Sequence, residues 1–259
     1  MSANDLVLHM FPASHYNEKV RWALDWKRLP HRRVSYLPGP HMPQIKRLSG
    51  QAQTPVLVMN GRAIAGSARI IEELERAFPG RPLYPDDAVA RERALEIQRR
   101  FDDEVGPAVR TALFSVLIQE PGYLCAMFTR TQPALKRALY RAMLPLVRTL
   151  IAKGNGVNPA NVERSLARAQ QALEETARMI GPGGQIVGNA FSVADLAVAS
   201  LLAPLANVAH PDMARPQPIP PRMAEFYARF EKDAAVQWVC DQYAKHRPAT
   251  SAVSASDQR

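Results

Sequence analysis

Residues 5–21, DLVLHMFPASHYNEKVR, contain the strand-to-helix turn around which the N-terminal half is built. The run 5–11 alternates loosely between apolar and polar side chains, which predicts a first β-strand. A turn follows at Pro12 and Ala13, and Ser14 is a favoured residue for the N-cap of a helix. Apolar residues at helical spacing come next, so we predict that a helix begins at Ser14.

The next segments predict the rest of an α/β domain. Residues 32–37, RRVSYL, predict a second strand, which prolines at 38, 40 and 43 prevent from continuing. Residues 55–59 and 62–65 flank Asn60-Gly61, and Asn-Gly between apolar runs favours the type I′ turn of an antiparallel hairpin. A helix with one apolar face is predicted from Ser67. The order β-α-β, then β-β-α, predicts a mixed sheet with helices on both faces.

The C-terminal part of the sequence predicts helices and no strands. It follows a Pro-rich linker at residues 79–86, and the helical pattern covers about 86–118, 131–152, 159–180, 192–208 and 220–245. We therefore predict an α/β domain at residues 1–85, an all-α helical bundle at 86–247 and a flexible tail at 248–259, where small and polar residues predominate.

Composition limits the classes of function. The chain has 259 residues and a net charge of +9, and residues 1–85 hold 12 Lys and Arg against 6 Asp and Glu. These cations are scattered and accompany no nucleic-acid motif, so an anionic small molecule is favoured over nucleic acid as a partner. Cys125 and Cys240 form no CxxC pattern, which excludes a disulfide scaffold, a zinc knuckle and dithiol redox chemistry. The histidines show no ligand spacing, so no metal is predicted.

The apolar runs of the sequence favour a cytoplasmic protein. The first residues lack a basic region followed by a long apolar run, so we expect no signal peptide. The longest apolar stretch, 196–209, is short for a bilayer span and contains Pro204. We expect no membrane span and a reducing compartment.

Three motifs, taken in their order along the chain, resemble those of glutathione transferases. Residues 14–21, SHYNEKVR, are similar to the active-site turn of that family, and residues 54–57, TPVL, to its segment with a cis-proline. Residues 191–195, FSVAD, are similar to the capping box of its helical domain. The resemblance spans about residues 5–245. It implies a thioredoxin-like N-terminal domain, an all-α C-terminal domain, a homodimer and glutathione as co-substrate.

Ser14 and Tyr16 are the candidate catalytic residues. At a helix N-terminus, unpaired N–H groups and the helix dipole favour negative charge, so the Ser14 hydroxyl could hydrogen-bond a bound thiolate and favour its ionised form. A plain N-cap is the alternative role for Ser14, and the Tyr16 phenol could serve the thiolate instead. Adjacent residues at a helix start point to different sides, so we expect no Ser-His nucleophile from His15. The resemblance also implies that Asn17 occupies the position at which redox-active relatives carry a second Cys. We therefore expect no glutaredoxin-like thiol exchange.

The resemblance also implies the glutathione-binding residues Thr54, Pro55, Val56, Gly66 and Ser67. A cis Thr54–Pro55 bond would present backbone groups to the cysteinyl unit, whereas the residues alone favour a trans proline at the start of a strand. Ser67, at a helix start, is suited to receive the γ-glutamyl carboxylate. Many relatives carry Glu or Gln where this chain has Gly66, which removes one polar contact.

Residues 113–151 are rich in Leu, Met and aromatic side chains with Arg interleaved. We predict that they form bundle core and a dimer interface, with Cys125 as a small buried apolar residue. The functional alternatives are an enlarged apolar pocket for a co-substrate and a patch for a membrane surface.

Together these features predict an enzyme that adds the glutathione thiolate to an electrophilic apolar small molecule. The alternative is a protein of the same fold that binds ligands or partners without catalysis. Gly66 and the long 113–151 region favour that alternative.

Overall fold

The N-terminal half of the computed structural model, which describes residues 5–253, is built around a four-stranded mixed sheet. Its strands are Leu6–Met10 (β1), Arg32–Ser35 (β2), Val56–Met59 (β3) and Arg62–Ala65 (β4). The sheet order is β2-β1-β3-β4, in which β1 and β2 are parallel and the other neighbours are antiparallel. The helices of this half are His15–Trp26 (α1), Met42–Ser49 (α2) and Ser67–Ala77 (α3). The predicted α/β, thioredoxin-like arrangement is confirmed.

The hairpin β3–β4 has the turn that Asn-Gly favours. Asn60 and Gly61 have φ angles of 51° and 80°, and Val56 pairs with Ala65 at the open end. Helix α2 is not predicted from the sequence, because the prolines that end β2 hide it. Pro43 lies in the first turn of α2. Backbone N–H groups in the first turn have no acceptor within the helix, so a proline there loses no hydrogen bond.

The rest of the described chain is helical, which confirms the all-α second part. The helices are Ala88–Arg100 (α4), Gly106–Leu117 (α5), Pro121–Thr129 (α6), Ala134–Ala142 (α7), Leu144–Gly154 (α8), Pro159–Met179 (α9), Val193–Leu202 (α10), Pro221–Ala228 (α11) and Ala234–His246 (α12). A π-helical turn, Phe101–Val105, joins α4 to α5. Within residues 5–253, no helix has the length and apolar character that crossing a bilayer requires.

Helix α10 fills the centre of the molecule and packs against α1. All ten of its residues are buried, and its first turn has the predicted capping box. The Ser192 hydroxyl accepts a hydrogen bond from the N–H of Ala194 (3.3 Å), and the Asp195 carboxylate accepts from the N–H of Ser192 (2.9 Å). One apolar cluster therefore runs through both halves, from the sheet to α10.

A buried ionic network fastens α1 to the C-terminal part of the chain. The Arg247 guanidinium contacts the carboxylates of Glu18, Asp25 and Asp212, each at 2.8 Å. Arg21 contacts Glu18 at 2.7 Å, and the side chains of Glu18, Arg21, Asp25 and Arg247 are fully buried. Each charge has an opposite charge in contact, which is the condition for ions to lie away from water.

The first six residues of the predicted flexible tail pack against this network. Ser251 donates from its N–H and its hydroxyl to Asp25 (2.7 and 2.8 Å), and the N–H of Val253 donates to the carbonyl of His31 (2.9 Å). Asp25 thus supplies a buried acceptor for the Ser251 donors, and the flexibility of the tail stays a prediction. Residues 254–259 lie outside the described residues.

Replacing Arg247 by Ala is expected to lower the free energy of unfolding by about 3–5 kcal/mol, because it leaves buried carboxylates without their counter-ion. Lys245→Ala is the matched control, since Lys245 and Asp241 form an exposed pair (65% exposed on each side) that contributes about 1 kcal/mol or less. Urea unfolding measures both variants. Equal losses would show that the network does not stabilise the fold.

Acid is expected to weaken the network at Asp212. Burial favours the protonated carboxyl, but Arg21, Arg33 and Arg247 outweigh it and lower the pKa of Asp212 to about 2. A lowered pKa in the folded state gives stability that is complete above the unfolded value of 3.8 and is lost as the pH falls toward 2. The stability advantage of the wild type over Asp212→Asn should therefore shrink by about 2 kcal/mol between about pH 5 and about pH 2. A pH-independent difference in urea unfolding would contradict this.

Candidate functional site

A cleft of about 1940 Å³ lies between the sheet domain and the helices and is lined by both. It brings together six of the seven residues that the sequence assigns to the site, namely Ser14, Tyr16, Thr54, Pro55, Gly66 and Ser67. Val56 is the exception. It is the first residue of β3 and its side chain is fully buried in the core, so only its backbone, which pairs with β1 and β4, could face a ligand.

Ser14 caps α1 at the edge of the cleft. Its backbone is extended (φ −141°, ψ 125°), and its hydroxyl oxygen accepts a long hydrogen bond, 3.5 Å, from the N–H of Asn17. Within residues 5–253, the hydroxyl proton of Ser14 has no acceptor. The residue is half-buried and lines the cleft, so this proton remains available to a ligand.

Tyr16 lines the same cleft, but its hydroxyl proton is already used. The phenol donates to the backbone carbonyl of Asp102 at 2.5 Å. Burial raises the pKa of Tyr16 well above its usual value, so the phenol keeps its proton at neutral pH. In this geometry Tyr16 can accept a hydrogen bond from a ligand but has no proton left to donate.

His15 forms no catalytic pair with Ser14. Its ring is buried, and Nε2 donates to the carbonyl of Gly106 at 3.1 Å. Burial, with the nearby positive charge of Arg110, lowers the pKa of His15 to about 3. The imidazole is therefore neutral at physiological pH and joins α1 to the start of α5.

Asn17 joins Ser14 to the proline segment. Its side-chain amide is fully buried and donates to the Thr54 hydroxyl at 3.1 Å, and the Thr54–Pro55 bond is cis, as the resemblance implies. The N–H of Gly66 in turn donates to the carbonyl of Pro55 at 3.2 Å. Two hydrogen bonds thus connect the α1 turn, the proline segment and the start of α3.

Gly66 and Ser67 form the N-terminal end of α3. Gly66 has a φ of +91°, a conformation in which a side chain is strained although the space around it is open, and this accounts for glycine here. Gly66 cannot cap α3 with a side chain, so the first N–H groups of the helix are left for another acceptor. Ser67 is largely buried and lines the cleft at this point.

The π-helical turn between α4 and α5 forms the opposite wall, and sequence reasoning missed it. It places Asp102 against Lys19, whose buried ammonium contacts both carboxylate oxygens at 2.6 and 2.7 Å. Gly106 follows, and a Cβ there would collide with the Tyr16 hydroxyl. The sequence signal for this turn was the pair Gly106-Pro107 inside a predicted helix, since such pairs mark irregular helical turns.

Arg110 supplies positive charge on this wall. Its guanidinium lies 5.9 Å from the centre of the Tyr16 ring and lines the cleft. It forms no ion pair with any residue in the described range 5–253. An anion bound beside Ser14 would therefore meet both a helix N-terminus and the Arg110 guanidinium.

The remaining wall is apolar and comes from the unusual 113–151 region. The lining side chains are Leu113, Phe114, Leu117, Met127, Phe128, Val147, Leu150 and Ile151. Other residues of the region, including Leu124 and Tyr140, form a second apolar core in which Cys125 is buried as predicted. The region therefore provides a second apolar core and also part of the lining of the cleft.

Within residues 5–253, no three His, Cys, Asp or Glu side chains are grouped so that they could hold a metal ion. Ser14, the proline segment, the open end of α3, Arg110 and the apolar wall are instead suited to an anionic, flexible molecule next to an apolar one.

Residues 8–82 match the family model for the glutathione S-transferase N-terminal domain. A probable maleylacetoacetate isomerase of Caenorhabditis elegans is 32% identical over 99 residues, which are 38% of this chain and 46% of the worm protein. The segments matched in this and the other curated relatives span less than half of each relative's length.

Solved structures extend the likeness to the whole fold. The β-etherase LigF from Sphingobium has a TM-score of 0.59 at 17% identity and covers 92% of this chain and 99% of its own. A glutathione S-transferase from Methylobacterium radiotolerans, solved with glutathione sulfonate, has a TM-score of 0.56 at 20% identity and covers 96% and 98%. At these identities the likeness shows the fold alone.

Gly106→Ala is expected to lower the free energy of unfolding by about 1–3 kcal/mol, because the new methyl group displaces the Tyr16 hydroxyl from the Asp102 carbonyl. Gly122→Ala in α6 is the control, since nothing lies within 4 Å of its Cβ position and alanine favours a helix. Urea unfolding of both variants tests the close approach. Two variants of equal stability would argue against it.

Proposed function

We propose that this chain, whose residues 8–82 match the glutathione S-transferase N-terminal domain, binds glutathione beside Ser14 and adds the thiolate to an electrophilic, mainly apolar small molecule. The observation that carries the proposal is the convergence of the unused Ser14 hydroxyl, the Thr54–Pro55 segment and the Ser67 end of α3 on one cleft.

Ser14 is proposed to stabilise the thiolate. Its hydroxyl donates to the sulfur, while the N-terminus of α1 and the Arg110 guanidinium favour the negative charge. Lowering the thiol pKa by about two units requires roughly 2.7 kcal/mol of preference for the ionised form. One charge-assisted hydrogen bond and a helix terminus together reach that size.

The tripeptide is proposed to extend from Ser14 toward α3. The backbone beside Thr54 and Pro55 pairs with the cysteinyl unit as an added strand would. Ser67 and the first N–H groups of α3 receive the γ-glutamyl carboxylate, because they lack a side-chain cap. The similar glutathione S-transferase from Methylobacterium radiotolerans was solved in complex with glutathione sulfonate, which supports the choice of ligand.

The electrophile is proposed to occupy the apolar wall formed by α5, α6 and α8. Burial of an apolar molecule against Phe114 and Phe128 holds its reactive carbon near the sulfur. The sulfur electron pair forms the new carbon–sulfur bond, and the electrophile releases a leaving group or takes up a proton.

The resemblance to glutathione transferases also suggests an oligomeric state and a cellular compartment. We propose a homodimer in a reducing cytoplasm, where Cys125 and Cys240 remain free thiols. Light scattering on the purified protein measures the mass of the assembly.

A non-catalytic ligand-binding protein of the same fold is the second candidate. The observation in its favour is Gly66, which offers no side chain to the γ-glutamyl group. Calorimetric titration with glutathione and a turnover assay separate the candidates. Binding without turnover of any tested electrophile favours this second function.

Ser14→Ala is expected to lower kcat by about tenfold to a hundredfold and to raise the pKa of enzyme-bound glutathione, because the thiolate loses its hydrogen bond. Thiolate absorbance as a function of pH and turnover of a model electrophile measure these effects.

Tyr16→Phe is the matched control, because it also removes one hydroxyl from the cleft. Its effect on the pKa of bound glutathione should be small, since the Tyr16 proton is given to Asp102. A larger shift in Tyr16→Phe than in Ser14→Ala would assign the thiolate to Tyr16.

A further inference from the structure

Helix α7 is almost uncovered. Of its nine residues, Ala134–Ala142, Tyr140 alone is buried, and its phenol donates to the carbonyl of Pro38 at 3.3 Å. Leu135 and Leu139 are 81% and 61% exposed. A helix of this length is not stable by itself in water and takes its stability from a covered apolar face. We therefore expect another molecule to cover the exposed apolar face of α7.

Large apolar side chains are also exposed at the junction of α7 with α8 and on α8 itself. Met143, Leu146 and Leu150 are 37%, 61% and 50% exposed. Together with the two leucines of α7 they form what we call the α7–α8 face, the residues Leu135, Leu139, Met143, Leu146 and Leu150. An exposed cluster of large apolar side chains of this kind marks an interaction site.

The segment that carries this face is purely cationic. Between Glu120 and Glu163 the sequence has no Asp or Glu and six basic residues, Arg130, Lys136, Arg137, Arg141, Arg148 and Lys153. Within residues 5–253, none of the six forms an ion pair. Apolar side chains flanked by unpaired Lys and Arg are the composition of helices that lie in the surface of an anionic bilayer.

A groove of about 720 Å³ beside α7 gathers three of these six basic residues together with Arg215. Its charged lining consists of Arg130, Arg137, Arg141 and Arg215. Arg130 donates to the carbonyls of Pro211 and Asp212 (2.9 Å each), and Nη1 of Arg215 is buried without a partner in the described chain. Four guanidinium groups without a carboxylate among them make a site for a phosphate-bearing headgroup.

We propose that the α7–α8 face docks on an anionic lipid bilayer, with its apolar side chains in the interface and a headgroup phosphate in the arginine groove. Leu150 belongs both to this face and to the lining of the cleft. Docking therefore brings the mouth of the cleft to the lipid surface. The docking itself does not depend on the proposed transfer reaction, because it needs neither glutathione nor an electrophile.

Charge disfavours a second copy of the chain as the occupant. In a two-fold interface the same patch faces itself, so the unpaired cations of one copy would meet those of the other. An anionic bilayer presents the opposite charge and also accepts the leucines.

Sedimentation with lipid vesicles tests the proposal without glutathione. The protein should bind vesicles of phosphatidylcholine mixed with phosphatidylglycerol, stay in solution with phosphatidylcholine alone, and be released by about 1 M salt, which screens the attraction. Absence of binding to the anionic vesicles overturns the proposal and leaves the proposed transferase activity untouched.

Leu135→Ser combined with Leu139→Ser should weaken vesicle binding about tenfold or more, because two interfacial side chains lose their apolar contact. Val89→Ser is the control, since Val89 is 76% exposed on α4, away from this face. Arg137→Gln combined with Arg141→Gln should weaken binding about thirtyfold, at about 1 kcal/mol for each charge. Arg178→Gln with Arg229→Gln, two exposed arginines elsewhere, should leave it nearly unchanged.

Two results would assign the surface to something else. If the leucine variant turns a dimer into a monomer and the wild type ignores anionic vesicles, the face is an interface between copies. If inorganic phosphate binds the arginine groove and vesicles do not, the groove is a site for a free anion. An unchanged dimer mass in the leucine variant, with lost vesicle binding, supports docking on lipid.

Discussion

Helix α1 is held in place by charges that lie out of reach of water, and the geometry of the cleft depends on this. Glu18 and Asp25 contact Arg247 from the far end of the chain, and Lys19 contacts Asp102 on the opposite wall. Buried ion pairs are weak sources of net stability, but each becomes costly to break once its partner is buried. Such pairs therefore fix an orientation, and the orientation fixed here points Ser14 into the cleft.

The same helix combines structural and chemical roles in neighbouring residues. Ser14 is the one hydroxyl of the turn whose proton remains unused, while His15, Tyr16 and Asn17 are each engaged with a carbonyl or hydroxyl of another segment. The neighbours of Ser14 therefore position the turn and leave a single donor facing the space between the domains. This division explains why the hydroxyl of Ser14 and the phenol of Tyr16, which are equally good candidates in the sequence, are not equivalent in the structure.

Sequence patterns predicted what local physics determines. The strand of 5–11, the Asn60-Gly61 hairpin and the capping box at Ser192 each depend on residues within a few positions of one another, and each is present. Contacts between distant segments could not be read in this way. Glu18 and Arg247 are 229 positions apart, and the burial of Val56 and the hydrogen bonds of Ser251 to Asp25 both depend on distant segments. The π-helical turn was not predicted because the α-helical periodicity of α4 and α5, on either side of it, dominates the sequence pattern.

The region 113–151 shows how one composition serves three environments. Its leucines and aromatic residues build a second core, line the cleft and form the exposed α7–α8 face. Apolar content alone could not separate these roles. Exposure and the distribution of charge along α7 and α8 separate them.

The most direct measurement is a crystal structure of the protein soaked with glutathione, in which the position of the sulfur is observed. The account predicts the sulfur within hydrogen-bonding distance of the Ser14 Oγ, with the γ-glutamyl carboxylate at the start of α3. A sulfur that lies against the Tyr16 phenol, or glutathione bound outside the cleft, would contradict it.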